Sequence, residues 1–505
     1  MNKQKKQYIL GALLSYGAIV FNIISGLIYT PWMISTIGKE HYALYTLASS
    51  VISLFLLDFG IGGAVSKFLS NYYANKQYDQ ANKFMGIVYK IFILISVIIA
   101  VCLFVFYFLI DGIYTKLSPS EIIIFKHLFI IVSVYSVFSF PFITFNGILM
   151  ANELFIQIKA CNFGQKFLNV FLIVGCLLFG ADVYALVIVH AFSNVVFIIL
   201  KYFIIKNKTL IKVDFTYKDR QTMRDLFDYS VWMTVMSLAQ RLIFNIMPSL
   251  IAALIGSVQV TLFSLASVIE GYVYTFTDAI NGMFLPKISR IIVGENPKEN
   301  LSALLCKVGK FHVYTLGLMF VGFVCVGKEF VNLWLGDGYE MVYICAVILI
   351  LPSLIDTPQQ IAKTALLATD VVKEQGIIYL VMAICNILFA AILLPTIGIV
   401  GGAISVCIAY FVRTICLNIL YYKKLQIDLK KYFASTYGIW LFVVLVVAVI
   451  YFPIASQMYL GGWLGFLIRG CIVFVLYIFL LFIGLLIKRD SREMLKRIIK
   501  KVAKK

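Results

Sequence analysis

The feature that most constrains this chain is a succession of long apolar stretches, separated by short segments that carry almost all of its charges. A helix needs about 20 apolar residues to cross a bilayer. Of the 505 residues, 62% are hydrophobic and 13% are charged, whereas soluble domains average about 25% charged residues. Counting the runs predicts about fourteen membrane helices, at residues 8–32, 42–64, 84–109, 122–150, 160–179, 183–205, 229–256, 261–283, 309–327, 341–367, 375–394, 399–421, 433–454 and 463–487. The sequence therefore predicts an all-α integral membrane protein.

The positions of the basic residues predict its orientation. The formal net charge is +19, which in a soluble protein would suggest a nucleic-acid partner. With the N-terminus placed in the cytoplasm, however, 36 of the 43 Lys and Arg residues fall in segments on the cytoplasmic side, as the positive-inside rule requires. We therefore expect both termini in the cytoplasm and no nucleic-acid partner. Every segment between the helices is short, which leaves no room for a soluble catalytic domain, so we expect no enzymatic activity.

A weak internal repeat predicts how the helices are organised. IGKEHYALYTLAS (37–49) aligns with IGSVQVTLFSLAS (255–267), and the same offset pairs Gly180 with Gly398. Because this offset spans six helices, equivalent helices run in the same direction, as in some secondary transporters. We expect two pseudo-symmetric six-helix lobes plus two extra C-terminal helices. The predicted parts are an N-lobe (1–206), a cytoplasmic linker (207–228), a C-lobe (229–424), helices 13 and 14 (433–487) and a basic cytoplasmic tail (488–505).

Motifs along the whole chain resemble a known family. They are LIYTPWMISTIGKEHYALYTL (27–47), LLDFGIGGAVSKF (56–68), FLPKISR (284–290) and VNLWLGDGYE (331–340). In order and spacing, they are similar to those of the Wzx-type polysaccharide repeat-unit flippases of the multidrug/oligosaccharidyl-lipid/polysaccharide (MOP) exporter superfamily. The resemblance implies translocation of an undecaprenyl-diphosphate-linked oligosaccharide from the cytoplasmic to the outer leaflet of the bacterial inner membrane, for O-antigen, capsule or another surface polysaccharide.

The resemblance also implies partners and alternatives. The partners would be the lipid-linked glycan, the bilayer, and a glycan polymerase and glycosyltransferases of the same pathway. No resident cofactor is expected, and a gradient of H⁺ or Na⁺ would drive export. A multidrug-type exporter of this superfamily usually has two membrane helices fewer than the fourteen predicted here. Lipid II flippases carry an arginine in their first helix, whereas residues 8–32 here contain no charge. A membrane glycan polymerase or ligase would need a larger outward loop.

Basic residues within or bordering the predicted helices are the substrate-binding candidates: Arg241, Arg413, Lys363 and Lys67. A guanidinium group matches the oxygens of a diphosphate with paired hydrogen bonds. Each candidate has a structural alternative. Arg241 lies at a depth where it could pair with Asp278 instead. Arg413 has no obvious partner in the sequence and could extend to the cytoplasmic interface, and the two lysines could anchor helix ends there.

Acidic residues in the same helices are the ion-coupling candidates: Asp58, Glu270, Asp278 and Asp356. Charge inside a bilayer is costly and usually marks a pathway or an internal pair. Asp58 and Asp278 lie near equivalent positions of the repeat, and the alternative for both is a carboxylate hydrogen-bonded near the headgroups. Asp356 lies between Pro352 and Pro358, on a helix predicted to be broken, which is a common way to build an ion site.

Cysteine labelling tests the predicted topology. Single cysteines introduced at residues 39, 332 and 461 should react with a membrane-impermeant reagent added outside intact cells. Cysteines at residues 76, 218 and 298 should react only after the cells are opened, since the positive-inside rule places these segments in the cytoplasm. Labelling of residue 461 only from the cytoplasmic side would contradict the fourteen-helix arrangement.

Overall fold

The computed structural model describes residues 3–56, 61–216, 234–243, 245–281, 288, 290–292, 294–369, 371–456, 458 and 461–487. These residues form helices joined by short turns, and they contain no β-strand. The helices are α1 (Lys3–Ile37), α2 (Lys39–Phe55), α3 (Ile61–Ala74), α4 (Tyr78–Ile113), α5 (Pro119–Ser139), α6 (Thr144–Ala151), α7 (Phe155–Leu178), α8 (Val183–Lys208), α9 (234–243), α10 (Ile246–Leu254), α11 (Ser257–Asn281), α12 (Pro297–Leu335), α13 (Glu340–Ile350), α14 (Ser353–Asp356), α15 (Gln360–Ala368), α16 (Val372–Ile397), α17 (Ile399–Leu425), α18 (Leu429–Ser456) and α19 (Gly462–Ile487). Short 3₁₀ turns at Phe140–Ile143 and Thr357–Gln359 connect α5 to α6 and α14 to α15. The all-α class expected from the sequence is confirmed.

The described residues of each predicted membrane segment lie mainly on one helix or on consecutive helices. Within the described part of the chain, 12 spans are long and apolar enough to cross a membrane. The two predicted segments outside that set are 42–64, which α2 covers up to residue 55 and α3 from residue 61, and 261–283, which α11 covers up to residue 281. These two segments correspond to each other in the internal repeat. Helix α2 has 17 residues and α3 has 14, and α11 carries Glu270 within its length, so the count of fourteen stays a prediction.

The chain divides into two compact units. The first unit comprises Met1–Ser264 with Val372–Gly402, and the second comprises Leu265–Val371 with Ala403–Lys505. In the first unit α1 packs on α7, α2 on α5, α3 on α6 and α7 on α8. In the second unit α12 packs on α18, on α19 and on the Thr357–Gln359 turn. This division by packing differs from the lobes of the internal repeat, which stay a prediction.

Glycines at equivalent positions of the repeat adopt the same backbone conformation. Gly38 precedes α2 with a φ of 89°, and its counterpart Gly256 precedes α11 with a φ of 105°. Gly180 and Gly398, in the turns before α8 and α17, have φ angles of 79° and 65°. Positive φ is strained for residues that carry a Cβ but not for glycine. The repeated glycines therefore mark the same helix-opening turn in both halves of the alignment.

The predicted break between Pro352 and Pro358 is confirmed. Helix α13 ends before Pro352, and Pro358 lies in the 3₁₀ turn that follows α14. Proline has no N–H group, so Pro358 leaves the carbonyl of Leu354, four residues earlier, without its helical donor. The buried hydroxyl of Tyr437, on α18, donates to that carbonyl at 2.9 Å. This bond stabilises the irregular segment that carries Asp356.

Replacing Tyr437 with Phe should destabilise the protein. The substitution removes the hydroxyl donor from a buried carbonyl, and an unsatisfied buried polar group typically costs about 1–3 kcal/mol. The measurement is the thermal denaturation midpoint of the detergent-purified protein. Tyr422→Phe is the matched control, because Tyr422 is exposed on the surface of α17. Equal midpoints for the two variants would contradict a stabilising role for the bond.

Candidate functional site

Three of the predicted site residues meet in the second unit. The Nζ of Lys363 donates to Oδ2 of Asp356 at 2.6 Å, and Nη2 of Arg413 lies 2.6 Å from Oδ1 of the same carboxylate. The side chains of Asp356, Lys363 and Arg413 are 7%, 11% and 3% exposed. We call these three residues the Asp356 cluster. Arg413, which has no obvious partner in the sequence, pairs with Asp356 on a broken helix that is distant in the sequence.

Local geometry explains how the three side chains converge. Lys363 follows Asp356 by seven residues, which is close to two helical turns, so both side chains share a face across the 3₁₀ turn. Arg413 comes from the uninterrupted helix α17. Its Cζ lies 4.4 Å from the centroid of the Tyr410 ring, one turn earlier on that helix. This cation–π contact holds the guanidinium in a fixed orientation towards Asp356.

The Asp356 cluster contains two cations and one carboxylate. Buried charges are tolerated only when they are paired, because leaving water is costly for an ion. Each oxygen of Asp356 is matched by one cation, yet the three side chains together carry a charge of +1. A site of this composition favours a further anion over a cation. It combines the fork geometry of an arginine with the point charge of a lysine, and both suit phosphate oxygens.

Glu270, an ion-coupling candidate, lies near this cluster. It is partly buried on α11, in the same unit. Glu270, Asp356 and Arg413 all lie within electrostatic range of the Tyr410 phenol. Over the part of the chain that the structure describes, no three or more His, Cys, Asp and Glu side chains are grouped as metal ligands.

A pair of amides beside the cluster was not found from the sequence. Nε2 of Gln359 donates to Oδ1 of Asn418 at 3.0 Å, and Nδ2 of Asn418 donates to Oε1 of Gln359 at 3.3 Å. The pair links α17, which carries Arg413, to the 3₁₀ turn that directly follows Asp356. The sequence signal for this pair is Gln359, a polar residue directly after Pro358. That signal does not show that Asn418 is its partner.

Arg241 lies in the first unit and has a different environment. Its Nη1 donates to the backbone carbonyl of Ser53, on α2, at 2.6 Å. Its predicted alternative partner, Asp278, lies on α11, but the Asp278 side chain is outside the described part of the structure. The same holds for the side chain of Lys67, on α3, and Asp58 lies outside the described residues altogether. The roles of these residues stay predictions.

Two other basic residues have clear partners. Nη1 of Arg469 lies 2.8 Å from Oε2 of Glu329, on α12, and Nη2 donates to the carbonyl of Met458 at 2.7 Å. Lys201 donates to the side-chain oxygens of Asn146 and Asn162 at 3.0 and 3.1 Å. The Arg469–Glu329 pair is charge-balanced, unlike the Asp356 cluster.

Comparisons with known proteins assign the family and the fold. The family model described as "Polysaccharide biosynthesis protein" matches residues 11–292. The structure is similar to the lipid II flippase MurJ in its inward closed conformation, with a TM-score of 0.70 and 16% identity, over 94% of this chain and 98% of that chain. It is also similar to an inward-facing multidrug resistance MATE family transporter of the MOP superfamily, with a TM-score of 0.66 and 14% identity, over 82% of this chain and 98% of that chain.

A MOP superfamily transporter from Pyrococcus furiosus is similar as well, with a TM-score of 0.60 and 14% identity, over 84% of this chain and 96% of that chain. No curated protein matches the sequence. At these identities the structural matches establish the fold, and the family match covers more than half of the chain. This chain belongs to the polysaccharide biosynthesis protein family and has the fold of MOP superfamily transporters.

Proposed function

We propose that this protein carries undecaprenyl-diphosphate-linked oligosaccharide repeat units from the cytoplasmic to the outer leaflet of the bacterial inner membrane by alternating access. The family and the fold support transport of a polysaccharide precursor. The observation that carries the proposal is the Asp356 cluster, where Lys363 and Arg413 share one buried carboxylate. The resulting positive charge suits the diphosphate that joins the glycan to its lipid.

The physical requirement is that a diphosphate must cross a medium in which ions are costly. An unpaired anion in low dielectric carries a large desolvation penalty, which only close cations and hydrogen-bond donors offset. Arg413 can give paired hydrogen bonds to phosphate oxygens, and Lys363 adds a second cation. We assign diphosphate contact to these two residues first. Arg241 is a weaker candidate for diphosphate contact, because its Nη1 already donates to the Ser53 carbonyl.

Export against a concentration difference needs a source of energy, for which we propose a gradient of H⁺ or Na⁺. Glu270 is the first coupling candidate among the described side chains. Asp356 is a poorer one while both of its oxygens face cations, because nearby positive charge disfavours binding of a proton or of Na⁺. Asp58 and Asp278 remain coupling candidates by their place in the repeat.

Two alternatives use the same fold. A multidrug exporter fits less well because the MATE match covers 82% of this chain, whereas the MurJ match covers 94%. A lipid II flippase fits the fold, but residues 8–32 lack the charge that the resemblance predicts for such a protein. A glycan flippase agrees with both the length of the chain and the absence of charge in its first predicted helix.

Deletion of the gene, combined with reconstitution, tests the proposed function. The deletion strain should lose a surface glycan and accumulate its lipid-linked repeat unit on the cytoplasmic side. Purified protein in liposomes should move a lipid-diphosphate-linked oligosaccharide between leaflets. Intact surface glycan with increased drug sensitivity would indicate a multidrug exporter instead, and accumulation of lipid II with cell lysis would indicate a lipid II flippase.

Arg413→Ala should abolish surface glycan, and Arg413→Lys should restore only part of it, because lysine lacks the paired donors. The alanine variant should also lower the protein yield, since breaking a buried ion pair costs about 3–5 kcal/mol. The triple variant Asp356→Asn/Lys363→Gln/Arg413→Gln keeps the side chains polar and leaves no unpaired charge among the three residues. It should recover the yield but not the surface glycan.

The matched control is the double variant Glu329→Gln/Arg469→Gln, which neutralises the other buried arginine pair in the same way. It should retain surface glycan once its yield is matched. If the triple variant also exports glycan at the normal level, Lys363 and Arg413 have a structural role and do not contact the diphosphate.

Arg241→Ala and the charge swap Arg241→Asp/Asp278→Arg separate the two hypotheses for Arg241. If Arg241 contacts the diphosphate, the alanine variant should stop export, and the swap should rescue nothing. The alanine variant also loses the hydrogen bond to the Ser53 carbonyl, for which about 1.5–3 kcal/mol is typical of a charged donor, so its yield should fall as well. Recovery of both yield and surface glycan in the swapped protein would show that the two residues form a structural pair.

A further inference from the structure

Lys363 and Arg413 contact the two oxygens of the Asp356 carboxylate as they would contact two oxygens of a substrate phosphate. Its two oxygens each face one cation at 2.6 Å, with Lys363 on one side and Arg413 on the other. The two cations come from different helices, α15 and α17. A phosphate group also presents neighbouring oxygens that accept from arginine and lysine in this way. Asp356 and a substrate phosphate would therefore compete for the same donors.

The three members of the cluster lie on backbone elements of different length and regularity. Arg413 lies within α17, a continuous helix of 27 residues, and stacks on Tyr410. Asp356 ends α14, which has four residues, and the 3₁₀ turn containing Pro358 follows directly. A segment interrupted by proline has fewer helical hydrogen bonds to break when it shifts. The carboxylate is therefore the member that can leave with the least disruption of the helices.

We propose that Asp356 is an internal substitute for the substrate diphosphate. In the unloaded protein it pairs with Lys363 and Arg413, and the diphosphate of the lipid-linked glycan displaces it. After release of the substrate to the outer leaflet, Asp356 pairs with the cations again. This inference rests on the proposed function, and it assigns to Asp356 a role in substrate exchange rather than in coupling to an ion.

The role has an energetic reason. A transporter must also change conformation without substrate, and Lys363 and Arg413 would then be two unpaired cations in low dielectric. Pairing with Asp356 removes most of that cost in the unloaded state. The same pairing lowers the apparent affinity for the diphosphate, because only the fraction of molecules with free cations can bind it. A carboxylate at this position thus weakens binding of the diphosphate. In exchange, it makes release of the diphosphate and the return of the unloaded protein easier.

Binding measurements on the full chain in lipid nanodiscs test the proposal. The probe is geranylgeranyl diphosphate, compared with geranylgeranyl monophosphate and with inorganic pyrophosphate. The comparison separates a lipid-linked diphosphate from free diphosphate and from a single phosphate. The variants are Asp356→Asn, Lys363→Gln and Arg413→Gln, and Glu329→Gln is the control because it removes the carboxylate of the other buried arginine pair.

Asp356→Asn should bind geranylgeranyl diphosphate more tightly than the natural chain. If Asp356 holds the cations in about 90% of unloaded molecules, the gain in affinity is about tenfold. Lys363→Gln and Arg413→Gln should bind more weakly, and Glu329→Gln should equal the natural chain. In liposomes, Asp356→Asn should nevertheless transport more slowly, because release of the diphosphate is no longer assisted.

Asp356→Asn removes the carboxylate that faces both cations, so we expect this variant to be less stable than the natural chain. A second measurement therefore compares thermal denaturation with and without the probe. Geranylgeranyl diphosphate should raise the denaturation midpoint of Asp356→Asn by more than that of the natural chain. If the variant is lost on extraction, it should be recovered when the membranes are extracted with the diphosphate present. Extraction of Glu329→Gln should not respond to the diphosphate in this way.

The outcomes distinguish this proposal from the proposed function. If the natural chain binds geranylgeranyl diphosphate and Arg413→Gln weakens binding, but Asp356→Asn binds no better and is not stabilised, the displacement of Asp356 is wrong while the substrate site stands. If neither the natural chain nor Asp356→Asn binds any of the probes, the assignment of a diphosphate site fails as well. Binding of inorganic pyrophosphate as tight as that of the lipid diphosphate would overturn recognition of a lipid-linked substrate here.

Discussion

The pairing of buried charge at Asp356 is the interaction on which the candidate site depends. One carboxylate lies between Lys363 and Arg413, and all three side chains are largely buried. Without the carboxylate, two cations would face each other in low dielectric, and without either cation the cluster would lose a close ion pair. The surrounding polar contacts, including the stacking of Arg413 on Tyr410, act by keeping these charges aligned.

The position of Asp356 in turn depends on a break in its helix. A continuous helix through Pro352 and Pro358 is disfavoured, because each proline removes one backbone donor. The chain forms a four-residue helix and a 3₁₀ turn there, and the Tyr437 hydroxyl satisfies the carbonyl freed by Pro358. A hydroxyl from α18 thus supports the backbone irregularity that brings the carboxylate to Arg413. The site is therefore coupled to packing between helices and does not belong to one helix alone.

The sequence predicts the parts of this molecule that depend on local pattern. The length of each apolar run locates a helix, and the prolines locate the break around Asp356. The repeat pairs Gly38 with Gly256, and both have a positive φ in the structure. The sequence does not predict contacts between distant segments. The partner of Arg413 was missed because periodicity along one helix carries no information about which helix packs against it.

The three arginines inside the predicted helices show why depth alone does not identify a substrate contact. Arg469 has Glu329 as a counter-ion, so that pair is neutral and gives an anion little attraction. Arg241 donates to the backbone carbonyl of Ser53. Arg413 shares its carboxylate with a lysine. The Asp356 cluster combines a paired resting state with one more cation than carboxylate. A protein that must bind a diphosphate and then release it needs both properties at the same place, because an arginine that is fully neutralised cannot attract the substrate and one that is left unpaired cannot easily let it go.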